Sequence, residues 1–388
     1  MKLYEYQAKE LFRGYGIPTP HGHVVKSPME LKAVLSRVSY PVVVKAQVLV
    51  GGRGKAGGVR FADTPEELEK SGTALLRATL KDEKVTALLL EEKVPATEEY
   101  YLAVTLDRAR RLPLIMFSRS GGMDIEAVAR EHPGAIARVH VDPQMGLRGF
   151  HLEQLTKAGG LADPAVKKGV QRAARALYRL WDESDAALAE INPLMVLADG
   201  SVVAADAKLE VDDSALFRHP ELGAFRAELP ESELEREARA TGFLYIDVDP
   251  AGSVGVVSNG SGMIMSCIDW IARHGGRVTC ALDLGGGATA DRVAQGIDIL
   301  LKNPRVKSLL ISIFGGITRC DEIAGGVLKA VKEHAYPVPI VTRLEGTNKE
   351  KGLALLKEAR LAGVTVAGTL SEAADRVLTA QKLGGRGA

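Results

Sequence analysis

Residues 42–61 combine a β-branched run with a basic, glycine-rich loop. Gly52-Arg53-Gly54-Lys55-Ala56-Gly57 matches the G-x-G-x-x-G fingerprint of dinucleotide-binding folds. Gly54-Lys55 also resembles a P-loop, but Ala56 stands where a P-loop has Ser or Thr to hold magnesium. Three kinds of phosphate site are therefore open: a nicotinamide-dinucleotide site, a degraded P-loop, or another glycine-rich cradle.

The first two alternatives need a helix that begins at the glycines, because its N-terminus must face the phosphates. Here Val59-Arg60-Phe61 predicts a second short strand, followed by Asp63-Thr64-Pro65. The sequence therefore predicts a glycine-rich connection between two antiparallel strands. Its exposed N–H groups, with the charges of Arg53 and Lys55, would attract phosphate. The alternative is a basic hairpin tip that binds nothing.

Lys45 lies inside the first of these strands, between Val44 and Ala46. A lysine in an apolar strand either extends to solvent or meets an anion. Because the basic glycine loop follows a few residues later, we expect Lys45 to contact a ligand phosphate.

A second candidate site consists of two residues. Asn192 lies in the segment Glu190-Ile191-Asn192-Pro193, and Asp206 lies in the later predicted strand 202–208. A turn at Asp199-Gly200 would join the two strands, so that these side chains face each other across a hairpin. One carboxylate and one amide oxygen, completed by phosphate oxygens and water, suit Mg²⁺. Taken singly, Asn192 is more typical of a turn, and Asp206 is more typical of a solvent-facing strand residue; the magnesium interpretation depends on the nearby phosphate loop.

The first part of the chain predicts a mixed α+β domain around these residues, since strands and helices do not alternate regularly. The predicted strands are 87–91, 100–106, 112–118, 187–191 and 202–208, and the predicted helices are 64–80 and 163–180. The charged segment 213–240 has few strand formers, which predicts a linker with one short helix.

The last part of the chain alternates between short apolar runs and helical segments. The predicted strands are 253–258, 278–283, 306–313, 339–343 and 364–367, each followed by a helix. Five such units predict a doubly wound parallel sheet of the flavodoxin type, which binds ligands at the carboxyl ends of its strands. Glycine loops follow several of these strands. We expect a helix from about Thr318, whose N-terminus after Gly315-Gly316 would bind an anion.

Composition excludes several classes of function. The chain has 388 residues with 50 Lys and Arg against 49 Asp and Glu, so no general attraction to nucleic acid or membranes is expected. Cys267, Cys280 and Cys320 are too widely spaced for a zinc site or a disulfide framework, which fits a cytoplasmic protein. The charged, amphipathic start is not typical of a signal peptide.

Seven segments resemble the β subunit of succinyl-CoA synthetase, and they follow one another in the same order as in that family. They are EYQAKELF with YGIPTP (5–20), VVKAQVLVGGRGKAGGV (43–59), AEINPL (189–194), SALFR (214–218), DLGGGAT (283–289), IFGGITRCD (313–321) and VTRLEGTN (341–348). The resemblance covers almost the whole chain, from Met1 to about Gln381. It implies an ATP-grasp nucleotide domain over 1–238, with a glycine-loop subdomain at about 21–102, and a flavodoxin-like CoA-ligase domain over 239–388.

The resemblance also implies residue roles. The nucleotide would be bound by Lys45, Gly52, Arg53, Gly54, Glu91, Val94 and Glu99, and Mg²⁺ by Asn192 and Asp206. Glu190 would be the catalytic acid that meets a phosphohistidine. The succinate and phosphate site would include Asn259, Gly316, Ile317 and Thr318, and Thr318 stands where relatives often have Val.

The implied partner is an α subunit that carries the phosphohistidine and binds CoA. Together they would interconvert succinyl-CoA, phosphate and ADP or GDP with succinate, CoA and ATP or GTP. The resemblance leaves open the nucleotide base, αβ or α2β2 assembly, and a malate–CoA ligase β subunit. The alternatives from other classes are a nicotinamide-dependent dehydrogenase, which needs a helix directly after Gly57, and a non-catalytic nucleotide-binding scaffold.

Overall fold

The computed structural model describes residues 1–333 and 338–384. The chain divides into two compact units, Met1–Leu229 and Pro230–Ala388. Within the described ranges, none of the helices has the length and apolar character needed to cross a membrane.

The N-terminal unit contains helices of very different lengths. They are α1 (Glu5–Gly14), α2 (Pro28–Val34), α3 (Pro65–Leu76), α4 (Ile125–Glu131), α5 (Gly149–Ala158), α6 (Pro164–Glu183) and α7 (Pro220–Phe225). The side chain of Thr64 accepts a hydrogen bond from the Glu67 N–H and caps α3, while Asp163 caps α6. The two helices predicted from these capping residues are confirmed.

The strands of this unit form two principal antiparallel sheets. They are β1 (Gly22–Val25), β2 (Val42–Ala46), β3 (Val59–Ala62), β4 (Thr79–Leu80), β5 (Glu83–Lys84), β6 (Leu88–Glu92), β7 (Glu98–Asp107), β8 (Leu112–Ser118), β9 (Ile136–His140), β10 (Ala186–Val196), β11 (Val202–Ala204) and β12 (Lys208–Val211). The small sheet has the order β1-β6-β2-β3. The large sheet has the order β11-β10-β7-β8-β9, with β12 also paired to β10.

The C-terminal unit is a parallel sheet with helices between its strands. The helices are α8 (Glu233–Ala240), α9 (Ser261–Arg273), α10 (Ala290–Leu301), α11 (Cys320–Glu333), α12 (Lys349–Ala359) and α13 (Leu370–Gly384). The strands are β13 (Leu244–Asp247), β14 (Val254–Ser258), β15 (Val278–Asp283), β16 (Ser308–Gly315), β17 (Ile340–Gly346) and β18 (Val364–Val366). The sheet order is β13-β15-β14-β16-β17-β18. Apart from the antiparallel edge strand β13, this is the predicted flavodoxin order.

The expectation of a linker with one short helix over 213–240 was wrong. This segment contains α7 and α8, with short 3₁₀ turns at Asp213–Arg218 and Arg226–Glu228. Ser232 and Glu235 form a reciprocal capping box at α8, and Ala238 on that helix is fully buried. Apolar residues are sparse in this segment, yet Leu222 fixes α7 in the core of the N-terminal unit and Ala238 fixes α8 in the core of the C-terminal unit.

Candidate functional site

The glycine loop connects β2 and β3, which pair in antiparallel fashion with Lys45 opposite Val59. No helix follows the glycines, so the structure excludes a dinucleotide fingerprint and a P-loop at this position. Gly52 and Gly57 have φ angles of +71° and +76°, a conformation that favours glycine. The predicted glycine-rich strand connection is confirmed.

The loop has free donors on its backbone. The Gly58 N–H donates to the Arg53 carbonyl at 2.8 Å and closes the loop on itself. By contrast, the N–H groups of residues 51–55 donate to no acceptor within residues 1–333 and 338–384. Consecutive free amides beside basic side chains are suited to binding an anion.

Lys45 does not extend to solvent. Its ammonium group is buried and donates to Glu5 at 3.0 Å, to Glu91 at 2.6 Å and to the Ala205 carbonyl oxygen. Burial alone would lower the pKa of Lys45, but the carboxylates of Glu5, Glu91 and Asp206 outweigh it and raise the pKa above its usual value. Lys45 is therefore a fixed positive charge at the edge of the glycine loop.

Arg53 extends from the glycine loop toward the same carboxylates. Its guanidinium group donates to Glu5, to Asp206 Oδ1 at 2.8 Å and to the Ala46 carbonyl at 3.3 Å. Although burial would raise the pKa of Glu5, the cations of Arg53, Lys45 and Lys9 hold it well below its usual range. Arg53 thus connects the predicted phosphate loop with a predicted metal ligand.

These contacts define a charge cluster of three cations and three carboxylates. Its members are Glu5, Lys9, Lys45, Arg53, Glu91 and Asp206. The sequence predicted four of these residues and missed Glu5 and Lys9. Their spacing of four residues on α1 is the only local signal, and such pairs are common on exposed helix surfaces.

The remaining predicted nucleotide residues divide between the two sheets. The Glu91 carboxylate is turned toward Lys9 and Lys45 in the cluster, and Val94 follows β6 with its carbonyl accepting from Ala96. Glu99 lies on β7 of the large sheet and is exposed. The Glu91 side chain is therefore engaged by two buried lysines, a contact that the sequence did not predict.

Asn192 and Glu99 are brought together by a turn after β8. The Asn192 side chain accepts from the Gly122 N–H at 2.7 Å and donates to the Met123 carbonyl at 2.9 Å. Gly122 has a φ of +67°, and a Cβ there would lie 2.5 Å from a Glu99 carboxylate oxygen. This turn was not predicted, although the Gly121-Gly122 pair in the sequence indicates a turn.

The hairpin register places Asn192 and Asp206 at corresponding positions, but their side chains have different partners: Asn192 binds Gly122 and Met123, and Asp206 binds Arg53. Leu194 pairs with Ala204 and Glu190 with Lys208, and positions 192 and 206 fall between these two ladders. Within the described part of the chain, no group of three or more His, Cys, Asp or Glu side chains could hold a metal. One carboxylate and one amide oxygen fit Mg²⁺ only when phosphate oxygens and water complete the coordination.

Glu190 lies two residues before Asn192 and is held by Tyr101. The Tyr101 hydroxyl donates to Glu190 Oε2 at 3.2 Å from the neighbouring strand β7. Burial raises the pKa of Glu190, against the opposing effect of Lys208. The carboxyl group is therefore positioned by a fixed donor, which sequence analysis did not identify.

In the C-terminal unit, Asn259 joins the ends of two neighbouring strands. Its amide group donates to the Phe314 carbonyl and accepts from the Phe314 N–H, each at 3.0 Å. This two-point contact places the loop after β14 beside the loop after β16. The structure therefore brings Asn259 together with the segment that contains Gly316.

Thr318 connects the same segment to the loop after β15. It is 1% exposed, and its hydroxyl accepts from the Gly287 N–H at 3.0 Å. Ile317, in contrast, is 84% exposed, and a Cβ on Gly316 would meet no atom within 4 Å. The three glycine loops meet at the carboxyl edge of the sheet, as the topology predicted.

The helix expected from about Thr318 is present, and its start lies two residues later than expected. Helix α11 begins at Cys320, because the Cys320 N–H donates to the Thr347 carbonyl of the next loop and Thr318 is drawn toward Gly287. Asp321 occupies the first turn of the helix and pairs with Arg319 and Lys351. In the described residues, the N–H groups of 316–319 make no hydrogen bond, so free donors lie in the loop rather than in the helix.

Comparisons with known proteins agree with this two-part arrangement. The ATP-grasp domain family matches residues 2–196, and the CoA-ligase family matches residues 257–383. The chain is 44% identical over 380 residues to the β subunit of the ADP-forming succinate–CoA ligase of Roseiflexus sp. (strain RS-1), covering 98% of this chain and 99% of that one. It is 45% identical over 357 residues to the β subunit of the GDP-forming succinate–CoA ligase of Thermus thermophilus, covering 92% and 93%.

The fold also matches a solved structure. ATP citrate lyase from Methanothrix soehngenii, in complex with citrate and coenzyme A, aligns with a TM-score of 0.77 at 22% identity. The alignment covers 97% of this chain and 99% of that chain. At this identity the match concerns the fold alone.

Proposed function

This chain belongs to the family of succinate–CoA ligase β subunits, which are CoA-ligase enzymes, and from that premise we propose how its residues divide the reaction. The N-terminal unit binds a nucleoside di- or triphosphate. The C-terminal unit contributes to the site where succinate and phosphate react. A partner α subunit binds CoA and carries the histidine that transports the phosphoryl group.

The observation that carries the nucleotide assignment is that Lys45 and Arg53 both reach the buried Glu5 carboxylate beside a glycine loop whose N–H groups at 51–55 are free of partners in the described residues. Phosphoryl transfer depends mainly on placing the reactants in line and neutralising charge. Lys45 and Arg53 supply positive charge, and the loop amides supply donors that need no reorganisation. Glu99, exposed on the large sheet, is the carboxylate available for a ribose.

Asn192 and Asp206 would hold Mg²⁺ together with the nucleotide phosphates. When bound, the ion neutralises phosphate charge and aligns the oxygens for transfer. Arg53 donates to Asp206 Oδ1, so movement of Arg53 toward phosphate would free this oxygen for the ion. Glu190, fixed by Tyr101, is the acid that meets the phosphohistidine beside this site.

In the C-terminal unit, the amides of 316–319 and the loops around Asn259 and Gly287 would bind succinate and phosphate. Succinyl-CoA and phosphate give succinyl phosphate and CoA, and the partner histidine then takes the phosphoryl group to leave succinate. Transfer from phosphohistidine to the nucleoside diphosphate completes the cycle. Among the described residues, the strand-end glycine loops contain no histidine, which supports a nucleophile on the partner.

The test is to co-express the chain with an α-type subunit and assay CoA-thioester formation. Four pairs are compared: succinate or malate as the acid, each with ATP or GTP, with magnesium present. We expect succinate-dependent turnover and a phosphohistidine that forms on the partner after addition of nucleoside triphosphate. Turnover with malate alone would overturn the choice of acid, and failure of all four pairs would overturn the function.

A further inference from the structure

The charge cluster contains a lysine that no ligand role explains. Lys9 on α1 is 1% exposed, as fully buried as Glu5 and Glu91, which are each 2% exposed. Its ammonium group lies 2.8 Å from Glu5 and 2.6 Å from Glu91. A buried lysine is costly unless it is paired, so its place here calls for a function.

Lys9 and Lys45 share the same acceptors. Both ammonium groups contact Glu5 and Glu91, and both donate to the Ala205 carbonyl. Without Lys9, the single charge of Lys45 would face two buried carboxylates. That half of the cluster would then carry a net negative charge and would repel phosphate.

With Lys9 in place, that half of the cluster is neutral. Glu5 and Glu91 are matched by Lys9 and Lys45, which leaves the charge of Arg53 to be shared between Glu5 and Asp206. Once Mg²⁺ takes Asp206, the group carries one net positive charge. In a buried site such a charge acts strongly, because little water screens it.

Lys9 also fixes the backbone beside the predicted metal ligand. Its ammonium group donates to the Ala205 carbonyl at 2.7 Å, and the Ala205 N–H donates to the Pro193 carbonyl at 3.1 Å. Ala205 precedes Asp206, and Pro193 follows Asn192. The N-terminal helix therefore braces both sides of the hairpin that would hold Mg²⁺.

We propose that Lys9 is a positioning residue of the nucleotide site: it neutralises Glu5 and Glu91 so that Lys45 and Arg53 remain available to phosphate, and it braces Ala205 beside Asp206. The proposal rests on the nucleotide role of Lys45 given above. Glu5 is its counterpart, the internal anion that competes with phosphate for Arg53.

The experiment uses the complex with its α-type partner and measures KM and kcat for the Mg-nucleotide, succinate and CoA. Lys9→Met should raise KM for the nucleotide about tenfold or more, since a full charge is lost in a poorly screened site, and should leave KM for succinate and CoA unchanged. Lys9→Arg should stay close to wild type because it keeps the charge. Lys32→Met, at an exposed lysine paired with Glu69, is the matched control and should change nothing.

A purely structural role would raise the nucleotide KM in both Lys9→Met and Glu5→Gln. The proposal instead predicts changes of opposite sign in the two variants. Glu5→Gln removes the competing anion and should lower the nucleotide KM, whereas simple damage to the cluster would raise it. The double variant Lys9→Met/Glu5→Gln restores the charge balance and should bind nucleotide more tightly than Lys9→Met alone. If Lys9→Met does not fold, as judged by thermal melting, the direction of the change in nucleotide KM in Glu5→Gln still tests the proposal.

The inference is overturned by an unchanged nucleotide KM in folded Lys9→Met, or by a raised KM in Glu5→Gln. It is also overturned if the double variant is no better than Lys9→Met. Absence of any succinate-dependent turnover in the wild-type complex is a different result, which overturns the proposed function instead.

Discussion

Arg53 and Asp206 form a salt bridge of 2.8 Å that joins the glycine loop to the segment between β11 and β12. The bridge connects two residues with different proposed tasks, one toward phosphate and one toward metal. Because a carboxylate oxygen that accepts from Arg53 is less available to Mg²⁺, movement of Arg53 toward phosphate would free Asp206 Oδ1 for the ion. Nucleotide and metal should therefore bind cooperatively.

Asp206→Ala tests the metal half of this relationship. The change removes the only carboxylate of the proposed pair, so magnesium-dependent nucleotide affinity should fall about tenfold or more, which is about 1.4 kcal/mol. Affinity measured in the presence of EDTA should change much less. Isothermal titration of ADP and GDP with and without Mg²⁺ checks this. Asp199→Ala, at the turn of the same hairpin, is the control, and intact magnesium dependence in Asp206→Ala would contradict the site.

Lys45→Ala tests the phosphate half. Removal of the ammonium group leaves Glu5 and Glu91 facing the glycine loop without their second cation, so nucleotide-dependent phosphorylation of the partner should be abolished. Incorporation of radioactive γ-phosphate into the α-type subunit is the measurement. Lys167→Ala, which removes a lysine of α6 that pairs with Glu153 of α5, should leave the labelling intact. Normal labelling in folded Lys45→Ala would sink the assignment of this lysine.

The C-terminal unit could be predicted almost completely, whereas the N-terminal unit could not. The central parallel strands β14, β15 and β16 are largely apolar runs followed by glycine loops, so local pattern and topology agree. In the large sheet, the partner of β7 is β10, a strand that lies about 90 residues later in the sequence. Such pairing depends on contacts that no local pattern encodes.

The site shows the same division between local and non-local information. Lys45, Arg53 and Asp206 stand out because a charged residue in a strand or a glycine loop is unusual. Glu5 and Lys9 could not be singled out, because a Glu–Lys pair four residues apart is ordinary on a helix surface. Only the packing of α1 against the two sheets shows that this pair is buried.

Thr318→Val tests how the glycine loops of the C-terminal unit are held. The Thr318 hydroxyl accepts from the Gly287 N–H at 3.0 Å, and Val removes this link between the two loops. We expect KM for succinate to rise about threefold to tenfold, on the basis of about 1 kcal/mol for a neutral hydrogen bond, with no change in the nucleotide KM. Steady-state kinetics of the complex measure both. Thr318→Ser keeps the hydroxyl and should be nearly normal; an equal loss in both variants would contradict the argument.

Gly346→Ala tests the close approach of two strand ends. Gly346 has a φ of +104°, and a Cβ there would lie 1.9 Å from the Gly315 carbonyl oxygen. Backbone strain and overpacking together should reduce the free energy of unfolding by about 3 kcal/mol. Urea denaturation of the full chain, followed by circular dichroism, measures the change. Gly262→Ala in α9, where a Cβ meets no atom within 4 Å, should be neutral or stabilising, and equal stability of the two variants would contradict the geometry.

Tyr101→Phe separates the positioning of Glu190 from nucleotide binding. The phenol donates to Glu190 Oε2 at 3.2 Å, and hydrogen bonds to charged groups are worth about 1.5–3 kcal/mol. Without this donor the carboxyl group can leave the position at which it would meet the phosphohistidine, so kcat should fall about tenfold or more while KM for the nucleotide stays within about twofold. Tyr100→Phe is the matched control, because the neighbouring side chain points to the opposite face of β7, where its ring packs edge-on against Phe117. Single-turnover transfer from phosphohistidine to ADP or GDP locates the effect: a slower transfer step in Tyr101→Phe supports the role of Glu190, whereas an unchanged transfer rate would show that this carboxylate does not act at the nucleotide site.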